Sequence, residues 1–218
     1  DNGGRLSLIT ENKRRSPSAG KLSTVLSVAE RTAAYERAGA SMLSILCDAH
    51  FFDGDYSHLQ EARAVTTVPL LCKEFVIDES QLDAARAYGA DAVLLIVRCL
   101  TPLRTRELVA AARSRELVPF VEVATEDELA VALDAGSELI GVNARDLDTL
   151  VMDAARAARI LAAIPPGVTK MHFSGLSKPE DVQRIRDSGA DAALVGEALM
   201  RADDPEPLLR SLVAAAGA

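Results

Sequence analysis

Tryptophan is absent from this 218-residue sequence, and aromatic residues make up only 4% of it. A core without large rings must be filled by alanine, leucine and valine, which suits helices packed on a parallel sheet. Cysteine is scarce as well. Cys47, Cys72 and Cys99 show neither a CxxC pair nor a metal-ligand spacing, so neither a disulfide framework nor a structural zinc is expected. They read as small buried residues in a reducing cytoplasm. The longest apolar run, Ala92–Val97, is far too short to span a bilayer, and no signal-peptide pattern is visible. Acids outnumber bases 32 to 24, for a net charge of −8. The densest basic cluster, KRRSPS at 13–18, is too short for a nucleic-acid arm. Nucleic acid and anionic membranes are therefore excluded as partners. His50 and His58 flank the loop FFDGDY and His172 lies in an apolar run. With no HxxxH or histidine cluster, they read as solvated or core residues, and no metal is expected.

What is present is a pattern repeated four times: AGASMLSIL (38–46), YGADAVLLIV (88–97), AGSELIGVN (135–143) and SGADAALVG (188–196). In each, a helix-like segment ends at glycine, which closes the last turn in the left-handed conformation. An apolar run follows that reads as a strand buried on both faces. Eight such runs are present: Leu6–Glu11, Ser41–Leu46, Pro69–Lys73, Ala92–Val97, Pro119–Val123, Leu139–Asn143, Lys170–Phe173 and Ala192–Val195. Eight helix-period segments separate them, near 24–38, 56–65, 80–88, 105–115, 125–135, 152–163, 178–188 and 205–216. Thr125 with Glu128 has capping-box spacing, and Ser177 precedes Pro179 and two acids that suit a helix start. The opening DNGG reads as a frayed turn. Eight strands alternating with eight helices predict one (β/α)8 barrel over residues 1–218. An open doubly wound sheet would need fewer strands and usually a GxGxxG turn, which is missing.

In a barrel, chemistry sits where strands end. Pleating puts residues i and i+2 on one face. Glu11 and Lys13 form such a pair, with Asn12 turned away; Lys73 follows Leu71, Glu122 follows Phe120, and Asn143 closes LIGVN. Two carboxylates and two ammonium groups converging at one half-dry mouth would shift one another's pKa values, the usual preparation for acid–base catalysis. A Lys–Glu pair at a strand end can also be a buried ion pair that fixes register. SGLS (174–177) and VGEAL (195–199) follow strands seven and eight and open into helices, where barrels often bind phosphate. Arg145 and Lys13 would add positive charge there. Ordinary turn glycines are the alternative.

The stretches ENKRRSPS, FFDGDYSHL, VPLLCKEFVIDESQ, ARAYGADAVLLIV, FVEVATEDEL and IGVNARDLDTL, in this order and spacing, resemble the indole-3-glycerol phosphate synthase family over nearly the whole chain. The resemblance implies ring closure of 1-(2-carboxyphenylamino)-1-deoxyribulose 5-phosphate to indole-3-glycerol phosphate, with loss of CO2 and water, in tryptophan biosynthesis. It implies Lys73 as general acid and Glu122 as the carboxylate that orients it. Lys13 and Glu11 match a pair acting in the later dehydration, and Asn143 would bind a hydroxyl. Arg145, Ser174, Gly175, Gly196 and Glu197 fall at the phosphate site with Ser16 nearby, and Phe52, Phe75 and Leu94 at the apolar walls. No metal or organic cofactor is implied. The expected partner is a small phosphorylated substrate, and the protein is expected to act in the cytoplasm as a monomer or homodimer.

Two departures from the family pattern stand out. Phe173-Ser174-Gly175 replaces the family's Glu-Ser-Gly, so a ring that cannot move a proton takes a carboxylate's place in the substrate-binding set. The sequence also starts close to its first strand, without the covering extension that the family places ahead of it; truncation, disorder and a natural short form are alike open. Two alternatives follow: a weak or silent homologue that binds a phosphorylated anthranilate-type ligand, and a barrel with a repurposed pocket. A sugar-phosphate isomerase or epimerase is a third reading, against which the two lysines argue.

Overall fold

Apolar runs with β-branched and leucine-rich composition form the strands, and each glycine-terminated amphipathic segment covers them from outside. The computed structural model describes residues 4–17 and 19–217; of the DNGG turn only Gly4 falls among them. After β1 (Ser7–Asn12) come two short strands, β2 (Arg15–Ser16) and β3 (Gly20–Lys21), then α1 (Val28–Arg37) and β4 (Met42–Leu46). The chain continues through α2 (Ala49–Phe52), α3 (Ser57–Arg63), β5 (Leu70–Lys73), α4 (Glu79–Ala87), β6 (Ala92–Ile96) and a 3-10 turn at Val97–Cys99. Next come α5 (Pro102–Ser114), β7 (Val118–Val123), α6 (Glu126–Asp134), β8 (Leu139–Asn143) and α7 (Ala154–Ala163). The last elements are β9 (Thr169–Phe173), α8 (Pro179–Asp187), β10 (Ala192–Val195), α9 (Glu197–Arg201) and α10 (Glu206–Ala215).

Eight strands close into a barrel in the order β1-β10-β9-β8-β7-β6-β5-β4. All eight contacts are parallel, so this is the expected (β/α)8 barrel. Gly39 and Gly189, from the first and last repeats, take φ of 99° and 80°, closing α1 and α8. The Gly-Ala-Asp form of the repeat has a further use. Asp91 Oδ2 accepts from the backbone N–H of Leu70, and Asp191 Oδ2 from that of Lys170, both at 2.8 Å. Each aspartate thereby ties one strand's start to the strand before it.

Alternation separates two cores. Leu43, Ile45, Cys72, Val93, Leu95, Val121 and Val142 face outward under the helices. Ile9, Leu71, Leu94, Phe120, Met171 and Leu194 fill the barrel interior.

Local details differ from expectation at four places. The basic run after β1 folds into the β2–β3 hairpin. Thr125 caps α6 by accepting from Glu128 N–H, but Glu128 reaches back to Ala124 N–H at 2.6 Å, one residue before the cap. Ser177 does not cap α8: Lys178 holds the cap position, and Asp181 instead accepts from the Ser177 N–H and hydroxyl. Cys47 and Cys72 are buried as expected, but Cys99 is exposed, because the strand ends at Ile96 and the 3-10 turn that follows sets it at the cavity mouth.

Candidate active site

At the C-terminal ends of the strands lies a cavity of about 790 Å³. Its charged centre comes from residues one pleat above the apolar interior. Glu11 ends the inward row of β1 and bridges both lysines, Oε1 to Lys13 Nζ at 2.5 Å and Oε2 to Lys73 Nζ at 2.7 Å. Burial alone would raise the Glu11 pKa; the two ammonium charges and their hydrogen bonds outweigh it and hold it at about 2. Lys73, at the end of β5, is penalised by burial, yet the carboxylates of Glu11 and Glu122 reverse this and raise its pKa. Lys73 is therefore a charged proton donor in the free protein.

Glu122, near the end of β7, differs from Glu11. Burial raises its pKa, and the opposing pull of Lys73 and the Asn143 hydrogen bond does not cancel that. Its Oε1 accepts from Asn143 Nδ2 at 2.9 Å, while the buried Oε2 meets no partner among the described residues. Asn143 is held in one orientation. Its Oδ1 accepts from the Ser174 hydroxyl at 2.9 Å and the Arg145 N–H at 3.0 Å, which turns its amide nitrogen to Glu122.

Beside Asn143, the β9–α8 turn enters the cavity through Ser174 and Gly175, with φ of 73° and 82°. A non-glycine residue in that region is costly and is kept by its surroundings. Gly196 and Glu197 begin α9 on the neighbouring wall. A Cβ at Gly196 would lie 2.5 Å from Glu11 Oε1, so glycine there gives room to the bridging carboxylate. Arg31, fully buried on α1, grips the other end of α9. Its guanidinium donates to the carbonyls of Leu199 (3.0 Å) and Ala202 (3.3 Å) and meets no carboxylate among the described residues. The negative end of α9 thus takes up the charge.

Lys13, Ser16, Phe52, Phe75, Leu94 and Arg145 also line the cavity. Arg145 is bound within its own loop, donating to the Leu150 carbonyl at 3.1 Å. Phe173 is the exception among the sequence candidates. It points into the barrel, but at 1% exposure it lies beneath the cavity surface instead of lining it. The reason is register: Phe173 pairs with Asn143, and its ring folds down over Gly141, where a Cβ would come within 2.4 Å of Cε2.

Sequence reasoning missed several lining residues. Phe51 packs edge-on against Phe75 at 5.9 Å, and the paired FF of FFDGDY was the available signal. Arg98 joins Asp148 (2.7 Å) and Glu128 (3.3 Å) across the mouth; it directly follows a strand, where polar residues were to be sought. Leu147 and Leu150 come from an irregular loop with no periodicity to announce them.

Among the described residues, no cluster of His, Cys, Asp or Glu is arranged to hold a metal, and no helix is long and apolar enough to cross a membrane. The family model for Indole-3-glycerol phosphate synthase matches residues 1–212. An indole-3-glycerol phosphate synthase of Exiguobacterium sp. is 45% identical over 205 residues, 94% of this chain and 81% of that protein. One from Parafrankia sp. is 43% identical over 211 residues, 97% of this chain and 79% of that protein. Among solved structures, 3-hexulose-6-phosphate synthase from Salmonella typhimurium superposes with a TM-score of 0.77 at 13% identity, over 97% of this chain and 98% of that one. At that identity it supports the barrel fold alone.

Proposed function

Because the chain belongs to the indole-3-glycerol phosphate synthase family, we propose that it is a carbon–carbon lyase of that specificity. It would convert 1-(2-carboxyphenylamino)-1-deoxyribulose 5-phosphate to indole-3-glycerol phosphate, releasing CO2 and water, with no cofactor. The observation that carries the reading is geometric: at the strand ends Glu11 bridges the Lys13 and Lys73 ammonium groups at 2.5 and 2.7 Å, and the buried Glu122 keeps one oxygen without a hydrogen-bond partner among the described residues.

The ring carbon bearing the carboxylate bonds to the ketone carbon while Lys73 Nζ gives its proton to the ketone oxygen. CO2 departs, leaving its bonding pair to restore the aromatic ring. The new hydroxyl then leaves as water, protonated by an ammonium group. A proton lost from the adjacent methylene leaves the electron pair that forms the five-membered ring's double bond. Glu11, with a pKa near 2 and both oxygens in ion pairs, is a weak base, and its role is to hold Lys13 and Lys73. Glu122, with a raised pKa and an unpartnered oxygen, is the better proton acceptor. The Ser174–Gly175 and Gly196–Glu197 turns would receive the phosphate, with Ser16 and Arg145 nearby, and the Phe52, Phe75 and Leu94 wall the aromatic ring. Phe173 would act from below the pocket.

The net charge of −8 supports a small-molecule partner over nucleic acid or membrane, with the chain acting as a monomer or homodimer. Cys47 and Cys72, with Sγ atoms 3.6 Å apart and unbonded, support a reducing cytoplasmic location. The test is incubation with the carboxyphenylamino substrate, following indole fluorescence and CO2 together. Matched formation of both at about 1 s⁻¹ or faster supports the reading. Tight substrate binding with no product would favour the binding-only homologue, for which Phe173 in place of a carboxylate is the motive.

A further inference from the structure

The ammonium of Lys73 stands over the ring of Phe173, with Nζ 5.7 Å from the ring centroid. This is within the range at which a cation is attracted to the negative face of an aromatic ring. The surroundings make the contact consequential. Phe173 is 1% exposed and packed among Ile9, Leu94, Met171 and Leu194. Without the ring, the ammonium would face aliphatic carbon on that side, which penalises charge. The sheet is shaped for the ring: Gly141, on the neighbouring strand, leaves the space that a Cβ would fill. The other charged groups around Lys73 are Glu11 from β1, which it contacts directly, Glu122 from β7, and Lys13, joined to it through Glu11.

We propose that Phe173 is a positioning residue for Lys73, its ring face supporting the ammonium from below and leaving N–H bonds free to point into the cavity. An ammonium has three N–H donors, and Glu11 takes one at 2.7 Å. A hydrogen-bond acceptor beneath would take another and draw the group downward. A π face attracts the charge without fixing an N–H bond to one oxygen. The inference deepens the functional reading given above and rests on it only for the meaning of the proton, since the contact itself belongs to the ligand-free protein.

The test separates the ring's electrostatics from its volume. Phe173 is replaced in turn by 4-fluoro-, 3,5-difluoro- and 3,4,5-trifluorophenylalanine, which drains the negative face at nearly constant shape. Lys73 is titrated by NMR of 13Cε-labelled lysine in ligand-free protein. The chain has five lysines, and the Lys73→Met spectrum identifies the signal. The expected result is a stepwise fall in the Lys73 titration midpoint with each fluorine, reaching about half to one pH unit, with the alkaline limb of kcat/KM falling in parallel. Phe173→Leu shifts the midpoint the same way. A midpoint unchanged across the fluorinated series, in protein of unaltered melting temperature, overturns the proposal. A midpoint that follows fluorination in a protein making no indole product upholds the ring's role and overturns the functional reading instead.

Discussion

On β1, β5 and β7, the interior residues Ile9, Leu71 and Phe120 lie one pleat below Glu11, Lys73 and Glu122. Ile9, Glu11, Phe120 and Glu122 are all at most 5% exposed. On β1 and β7 burial therefore does not distinguish the layers, and on β5 Lys73 is half-buried above a fully buried Leu71; what burial does to each layer is opposite. In the lower layer every carbon removed from water stabilises the barrel. In the upper layer burial penalises each charge and is offset only by the partner charges, which fixes Glu11 ionised and Lys73 protonated. One step along a strand thus moves from groups that hold the fold to groups that hold a proton.

The comparison breaks most sharply at Lys73. Lys73→Met removes the donor and lowers kcat by about 10²–10⁴-fold; it also leaves the buried Glu11 paired with Lys13 alone, which costs up to about 3 kcal/mol of stability while the fold is kept. In the lower layer, Leu71→Ala leaves a cavity beneath the site and costs about 2–5 kcal/mol of stability, read by denaturant unfolding, with kcat of the folded protein changed only a few-fold.

Acid sharpens the comparison from the side of Glu11. Its folded pKa of about 2 lies below the ordinary 4.5, so its stabilising contribution is full above pH 4.5 and lost as pH falls toward 2. About 3 kcal/mol should disappear over that window, and Glu11→Gln should flatten this part of the stability–pH curve. The smallest effect is expected at Gly196→Ala. The added methyl must displace the Glu11 carboxylate, loosening its grip on Lys13 and lowering kcat/KM by about tenfold. A kcat/KM equal to the parent's would show that the carboxylate tolerates displacement.

Which of these features can be read from the sequence depends on how local their causes are. All eight barrel strands and the eight longer helices are legible because periodicity and glycine stops are local; the Leu139–Asn143 and Ala192–Val195 strands match residue for residue. The inward direction of Glu11, Lys73 and Glu122 is legible for the same reason, since pleat parity needs only counting. The bridging of both lysines by Glu11 is not, because it depends on distances across the barrel between residues 62 positions apart. Phe173 shows the limit most clearly. Its parity with Met171 points it inward, but only the bare Gly141 on the adjacent strand sends its ring under Lys73 and not into the cavity. The β2–β3 hairpin and α2 are too short to show a period.

The central claim is that the charged layer performs chemistry on a scaffold stabilised by the layer beneath. Its most direct test is kcat for indole-3-glycerol phosphate formation and unfolding free energy, measured side by side for Lys73→Met and Leu71→Ala. The account predicts a crossed result: Lys73→Met loses turnover by far more than its change in stability explains, while Leu71→Ala loses stability and keeps turnover. Substantial turnover by Lys73→Met, with Leu71→Ala no less stable than the parent, would contradict it.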